Sequence, residues 1–294
     1  MKGMREIRNR IKAVKSTGQI THAMELVAAS KMKKAQNSAE EGRAYAVLLM
    51  DLTQMVGLEA QRQINTESTK ENSKKRLIIV FSTDKGLCGG LNTNLFRAIS
   101  EIGDDAEFIA VGNRAARYLA RCKKRLLAKF SVSDHVKFSE TRTIANAAIK
   151  LAKEGGFGSI EILYSLFVNT LKQEPTLVKI APLDNLDVFI ERLRKSYKLD
   201  TQTRPQENRL MNFEPSIEEI RKELPLYYIN QAIYHMALDA KASEHSARMV
   251  AMKAASDNAD KLLQSLTLEY NKARQNAITT EILELASGAQ ANNE

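Results

Sequence analysis

The sequence predicts an α+β chain. A long antiparallel two-helix coiled coil is made by the N- and C-terminal segments, with a central Rossmann-like α/β domain and a mostly parallel sheet between them. Three observations predict it. The five prolines, Pro175, Pro182, Pro205, Pro215 and Pro225, all lie between positions 175 and 225, so both ends lack the residue that breaks helix interiors. Residues 226–287 contain neither Gly nor Pro. The middle alternates apolar β-rich runs with helical segments, the order that builds parallel sheets. The expected divisions are an N-terminal helix over 1–62, an α/β domain over 75–198 and a C-terminal helix over 209–288.

In the N-terminal segment Met4, Ile7, Ile11 and Val14 follow 3-4 spacing, with Gly18 and Thr21 on the same row. Met24, Ala28, Lys31 and Ala35 carry a stripe onward, and Tyr45, Leu48, Leu52, Met55 and Val56 follow. Gly18 and Gly42 each weaken a helix by about 1 kcal/mol relative to Ala and are read as bends, not ends. The C-terminal segment, if helical over 226–287, is roughly 90 Å long at 1.5 Å per residue. Its stripe runs through Ile229, Ile233, Met236, Ala240, Ser243, Ala247, Val250 and Ala254, then shifts to Leu262, Leu266, Ala273 and Ala277 as after a stutter. Gly288 stands where a helix C-cap is expected. A helix this long cannot bury its stripe alone. The N-terminal helix is the partner of matching length, which gives an intramolecular coiled coil.

In the middle, strands are expected at 76–82 (RLIIVFS), 107–112, 159–168 and 176–180, and helices at 93–102, 113–127 and 141–154. Polar linkers are expected at 65–75 and 198–209. Aromatics at 6% and the absence of Trp are thin for one large globule and natural for long Ala-, Leu- and Met-rich helices. A net charge of +9 and a pI near 9.4 call for an acidic partner: nucleic acid, a membrane surface or acidic protein faces. Two cysteines, Cys88 and Cys122, make no disulfide framework and fit a reducing, cytoplasmic setting. The opening MKGMREIRNR lacks the apolar region of a signal peptide. No apolar run approaches the roughly 20 residues that span a bilayer, so a membrane role is expected to be peripheral.

Few residues offer chemistry. The loop STDKGLCGGLN (82–92) lies between a strand and a helix, where phosphate-binding loops sit. It has neither the P-loop Lys-Ser/Thr nor dinucleotide-fingerprint spacing, and a tight strand-to-helix turn is the plainer reading. Cys88 lacks a base and an orienting group in sequence. His235 and His245 are ten apart and do not share a helix face as a metal pair would. No metal and no cofactor are expected. The basic cluster from Arg5 to Lys15 has no interleaved aromatic and that from Arg114 to Arg125 has only Tyr118, which is thin for stacking on bases, so acidic protein loops are the better partner. Two rival readings stay open: a nucleic-acid-binding α/β protein with helical arms, and a Rossmann-like enzyme using the 86–90 loop.

Three blocks resemble F-type ATP synthase gamma subunits. KSTGQITHAMELVAASKMKKAQ (15–36) looks like that family's opening helix, and STDKGLCGGLNTNLF (82–96) like its central loop. The strongest match is SEHSARMVAMKAASDNADKLL with LEYNKARQNAITTEILELASGAQA (243–291). Lys85 stands where Arg is expected in many relatives. The redox-regulatory cysteine insertion of chloroplast members is missing. The resemblance implies the central rotor shaft, present as one copy per complex and not catalytic by itself. It couples proton flow through the c-ring to ATP synthesis or hydrolysis on the alpha/beta hexamer. Alpha and beta subunits, the epsilon subunit and the c-ring are the implied partners, without nucleic acid or membrane insertion. The implied place is the cytoplasmic face of the bacterial cell membrane. The resemblance also implies that Met24 faces the acidic beta-subunit lever loop and that Arg248 and Gln275 form a catch with beta loops. It puts Phe213 and Glu214 in the foot at the c-ring, and Ile278, Ile282 and Leu285 in a tip held in an apolar sleeve.

Overall fold

The computed structural model describes residues 2–56, 75–181, 214 and 216–291. Along the chain these form α1 (Lys2–Val56), β1 (Arg76–Phe81), α2 (Leu91–Glu101), β2 (Ala106–Val111), α3 (Asn113–Arg121), β3 (Leu126–Phe130), α4 (Phe138–Gly155), β4 (Ser159–Phe167), β5 (Gln173–Ala181) and α5 (Ile217–Ala291). The chain groups into two compact units. One combines residues 1–28 with 248–294, and the other spans 29–247.

In the larger unit the five strands lie in the order β3-β2-β1-β4-β5. β1 pairs in parallel with β2 and with β4, and β2 pairs in parallel with β3. β5 returns antiparallel on β4. Leu77, Ile78, Ile79 and Val80 of β1 are all 0% exposed, as expected of a central strand covered on both faces. One face carries Ile78, Val80, Phe108 and Ala110 against Leu95 and Ile99 of α2 and Ala115 and Leu119 of α3. The opposite face carries Leu77, Ile79 and Ile109 against Ile144, Ala145 and Ala148 of α4 and the α5 segment holding Tyr228, Ile233 and Met236. The crossover helices therefore change face where the chain turns back from β3 to β4, as in a doubly wound sheet.

Several expectations need correction. The segment 113–127 is not one helix. α3 ends at Arg121, Lys123 takes a left-handed φ of 53°, and 126–130 forms the edge strand β3. Lys and Arg are good helix formers, and they hid the break. β5 starts at Gln173 and includes Pro175, which an edge strand tolerates because its outward N–H has no ladder partner. α1 passes through Gly18 and Gly42 without interruption. Both glycines mark close approach: a Cβ on Gly18 would meet Ala259 Cβ at 3.3 Å, and one on Gly42 would meet His235 Cε1 at 3.2 Å. Gly288 does not end α5, which continues to Ala291 and begins before Pro225. The linker expected at 65–75 lies outside the described residues except for Lys75, and that at 198–209 lies wholly outside them.

In the smaller unit a less exposed row of α1 runs through Met4, Ile7, Ile11, Val14, Gly18, Thr21, Glu25 and Ala28, with Met24 half-buried beside it. Their strict alternation of three and four is the coiled-coil period. On α5 the facing row is Met252, Ser256, Ala259, Leu263, Leu266, Tyr270, Ala273 and Ala277. Ala254 and Leu262, expected on the seam, face outward, and Leu262 is 48% exposed. Within the larger unit α1 buries Ala35, Ala39 and Leu49. In that unit Gly42 of α1 approaches His235 of α5, while Lys31, earlier on α1, shares Asp134 with Lys241 and His245, later on α5. The two helices are antiparallel.

Candidate interaction surfaces

Open α/β sheets bind ligands at the carboxyl ends of their strands, where neighbouring strands continue in opposite directions. Here that place is between β1 and β4. The loop after β1 is wired to its own chain. Thr83 Oγ1 donates to Lys85 O at 2.6 Å and accepts from Asn92 Nδ2 at 2.8 Å. Asn92 Nδ2 also reaches Cys88 Sγ at 3.1 Å, and Cys88 is buried.

The N-terminus of α3 opens toward the same loop, and its free N–H groups are already satisfied. Asp84 Oδ1 accepts from Asn113 N at 2.8 Å, Thr83 O from Arg114 N at 3.1 Å, and Ser82 Oγ from Ala115 N at 2.9 Å. A helix N-terminus attracts anions through such unpaired donors, and the protein's own side chains hold these. α5 covers the crevice as well, with Ala237, Ala240, Lys241 and Glu244 lining a small pocket with Ser82 and Ser165. The helix is fastened there: Ser243 Oγ donates to Ser165 O and Ser246 Oγ to Thr170 O, both at 2.8 Å. The place where a Rossmann-type enzyme would take a nucleotide is occupied by the chain's own long helix.

Among the described residues no group of three or more His, Cys, Asp or Glu side chains is arranged to hold a metal ion. None of the described helices is long and apolar enough to cross a membrane.

The outer faces of the long helices carry a different signal. Ile20, Leu26 and Val27 of α1 are 60%, 58% and 55% exposed, and Leu268, Ile278, Ile282 and Leu283 of α5 are 72%, 44%, 60% and 61% exposed. Large apolar side chains left exposed on these helices are the kind of surface that contact with another protein would cover. Arg5, Arg8, Arg10, Lys12 and Lys15 are exposed on the opening turns of α1.

Among the residues named from sequence, Met24 is half-buried beside the α1 seam, Arg248 is half-buried, and Gln275 and Glu214 are exposed. Phe213 and the side chain of Leu285 lie outside the described residues. Arg248 and Gln275 are separated by about 40 Å of helix at 1.5 Å per residue, so these side chains are spread along a rod and do not converge on one centre. Sequence reading missed Ile20, Leu26, Val27, Leu268 and Leu283, which fall off the 3-4 row; the signal that could have found them is large apolar residues next to the stripe but outside it.

The family model described as ATP synthase matches residues 3–291. The ATP synthase gamma chain of Opitutus terrae is 45% identical over 287 residues, covering 98% of this chain and 98% of that one. The gamma chain of Methylacidiphilum infernorum is 42% identical over 294 residues, again covering 98% of each. A chain of the Tetrahymena thermophila mitochondrial ATP synthase central stalk and c-ring superposes with a TM-score of 0.59 at 25% identity, over 81% of this chain and 99% of that one. A chain of the Euglena gracilis mitochondrial ATP synthase rotor shares the fold, with a TM-score of 0.63 at 16% identity over 94% and 99% of the two chains.

Proposed function

We propose, from the premise that this chain belongs to the ATP synthase family as a gamma chain, that its two long helices work as a turning shaft whose outer face is read by surrounding subunits. The protein is a subunit of a membrane-bound complex and a peripheral part of it. As the central rotor it couples proton flow through the c-ring to ATP synthesis and hydrolysis on the alpha/beta hexamer. Its partners are the alpha and beta subunits, the epsilon subunit and the c-ring.

The observation that carries this reading is the antiparallel pairing of α1 and α5 along an apolar seam that narrows to small residues where Gly18 meets Ala259, while other large apolar side chains remain on the outside. The chain is non-catalytic by itself and works on the cytoplasmic side of the cell membrane. Met24 meets an acidic beta-subunit loop, with the basic opening turns of α1 nearby in sequence. Arg248 and Gln275 engage beta-subunit loops as a catch, and Phe213 and Glu214 belong to the foot at the c-ring. Ile278, Ile282 and Leu285 form the tip held in an apolar sleeve, a role supported by the exposure of Ile278 and Ile282. Turning such a shaft presents a different face to each beta subunit. Moving a two-state site from 1:99 to 99:1 takes about 5.5 kcal/mol of differential interaction, which several angle-dependent polar and apolar contacts can supply.

Reconstitution tests the reading. Alpha and beta subunits with this chain should show sustained ATPase activity that is absent without it. Equal activity with and without the chain would refute the shaft.

A further inference from the structure

Asp134 lies in the turn between β3 and α4, within the unit formed by residues 29–247. Its carboxylate gathers basic side chains from both long helices. From α1, Lys31 Nζ donates to Oδ2 at 2.5 Å. From α5, Lys241 Nζ stands 3.9 Å from Oδ1 and His245 Nε2 stands 4.0 Å from it. Lys241 is in turn paired with Glu244 at 3.1 Å, and Lys241, Glu244 and His245 are all buried.

The turn that carries Asp134 is itself braced. Ser133 donates to Glu140 Oε2 of α4 through both its N–H, at 3.2 Å, and its Oγ, at 2.9 Å. The hydrogen bond from Lys31, together with Lys241 and His245, holds the Asp134 carboxyl below the usual carboxylate range despite partial burial. The Lys31 and Asp134 side chains are 42% and 49% exposed, so this pair contributes little to stability taken alone. What it does supply is geometry, because one anion fixes the azimuth of two helices against one braced turn.

We propose that Asp134 is a positioning residue for rotary coupling, holding Lys31 of α1 and Lys241 of α5 on one carboxylate so that a twist delivered to the α/β domain reaches both helices together. The proposal rests on the shaft reading above. Two further polar fastenings of α5, through Ser243 and Ser246, reach β4 and the β4–β5 turn. The Asp134 turn is a separate attachment that α1 shares.

The test uses the complete complex in sealed vesicles, measuring ATP hydrolysis and ATP-driven proton pumping on the same preparation. Asp134→Asn should assemble and hydrolyse ATP at close to the unsubstituted rate, while pumping per ATP falls several-fold. Asp134→Glu should restore most of the pumping, and Lys31→Gln should reproduce the loss. Unchanged pumping per ATP in Asp134→Asn would overturn the proposal. So would an Asp134→Glu complex that pumps no better than the Asn variant. If Asp134→Asn does not assemble, Lys31→Gln decides: normal pumping there overturns the proposal, and a several-fold loss supports it. Failure of the shaft reading itself would look different, because the unsubstituted chain would then leave alpha–beta ATPase activity unaffected.

Discussion

Gly112 occupies a position that no side chain fits. Its φ is 103°, and a Cβ there would lie 2.3 Å from the backbone oxygen of Ser82. The residue joins β2 to α3, and its N–H donates to Phe130 O at 2.9 Å, tying in β3. Gly112→Ala should therefore lower stability by about 3 kcal/mol. Urea unfolding followed by far-ultraviolet circular dichroism measures this, and an unchanged midpoint would contradict the placement. Glu161 makes a two-point contact with Arg76, at 3.0 Å from Nε and 2.6 Å from the terminal nitrogen. Burial disfavours its ionised form, yet Arg76, Ser159 and Lys179 together outweigh burial and hold the carboxyl below its usual range. A depressed folded pKa means that this stabilisation is fully present above the unfolded glutamate value of about 4.3. It is lost as pH falls through the lower folded value. Glu161→Gln should cost about 2 kcal/mol at neutral pH and show a flatter stability profile in acid. Denaturation midpoints for both proteins from neutral to acid pH would reveal parallel profiles if the contact were idle. At Met24 a charge should matter more for partners than for folding, since the side chain is only half-buried. Met24→Lys is expected to lower ATP-driven proton pumping and ATP synthesis while leaving the melting temperature of the isolated chain nearly unchanged. Normal coupling in that variant would remove Met24 from the beta-subunit contact.

Strands β1, β2 and β4 are readable because buried parallel strands are largely apolar runs: 77–81 is wholly apolar, and 106–111 and 159–167 are mostly so, interrupted by the buried Glu107 and Glu161. β3 is not readable in the same way: Leu126, Leu127 and Ala128 are only partly buried at a sheet edge, and the preceding Lys-Lys-Arg favours helix. The α1 stripe was legible from Met4 to Ala35 because one partner helix imposes one narrow row, whereas Tyr45 and Leu48, placed on it from sequence, are 55% and 63% exposed. The α5 stripe was not. Between Tyr228 and Ser246 nearly every position is buried, since that stretch packs on the sheet as well as on α1, and it defines no row to extrapolate. Beyond Arg248 a single partner selects Met252, Ser256 and Ala259, and the extrapolated Ala254 stands two residues, about 200° of rotation, away from Met252 and Ser256. The surfaces that meet other subunits leave no period at all, because their complement lies on other chains; they came from the resemblance of 15–36 and 243–291 to a family. The seam itself is open to test at Gly18, where a side chain would press on Ala259 at the first carbon. Gly18→Leu should destabilise the helix pair by about 2 kcal/mol. Thermal melting at 222 nm would show an early loss of helix, whereas a melt identical to that of the parent chain would mean that the helices do not meet there.

Taken as a whole, the molecule places charge and apolar surface on its helices and keeps its sheet crevice closed. The net charge of +9 is of the sign that acidic protein faces attract, and the Rossmann-type crevice that would serve chemistry is covered by α5. Sequence alone could not reveal that covering, because it depends on a helix far along the chain returning over the β1 loop. The distribution of cysteines offers a direct handle on the central claim: Cys122 is exposed and Cys88 is buried, so a thiol-reactive tag goes to one place on the α/β domain. With the alpha–beta hexamer fixed to a surface and a bead attached at Cys122, addition of ATP should drive continuous one-way rotation of the bead. Full-rate ATP hydrolysis with a bead that stays still, or that turns without preferred direction, would contradict the account.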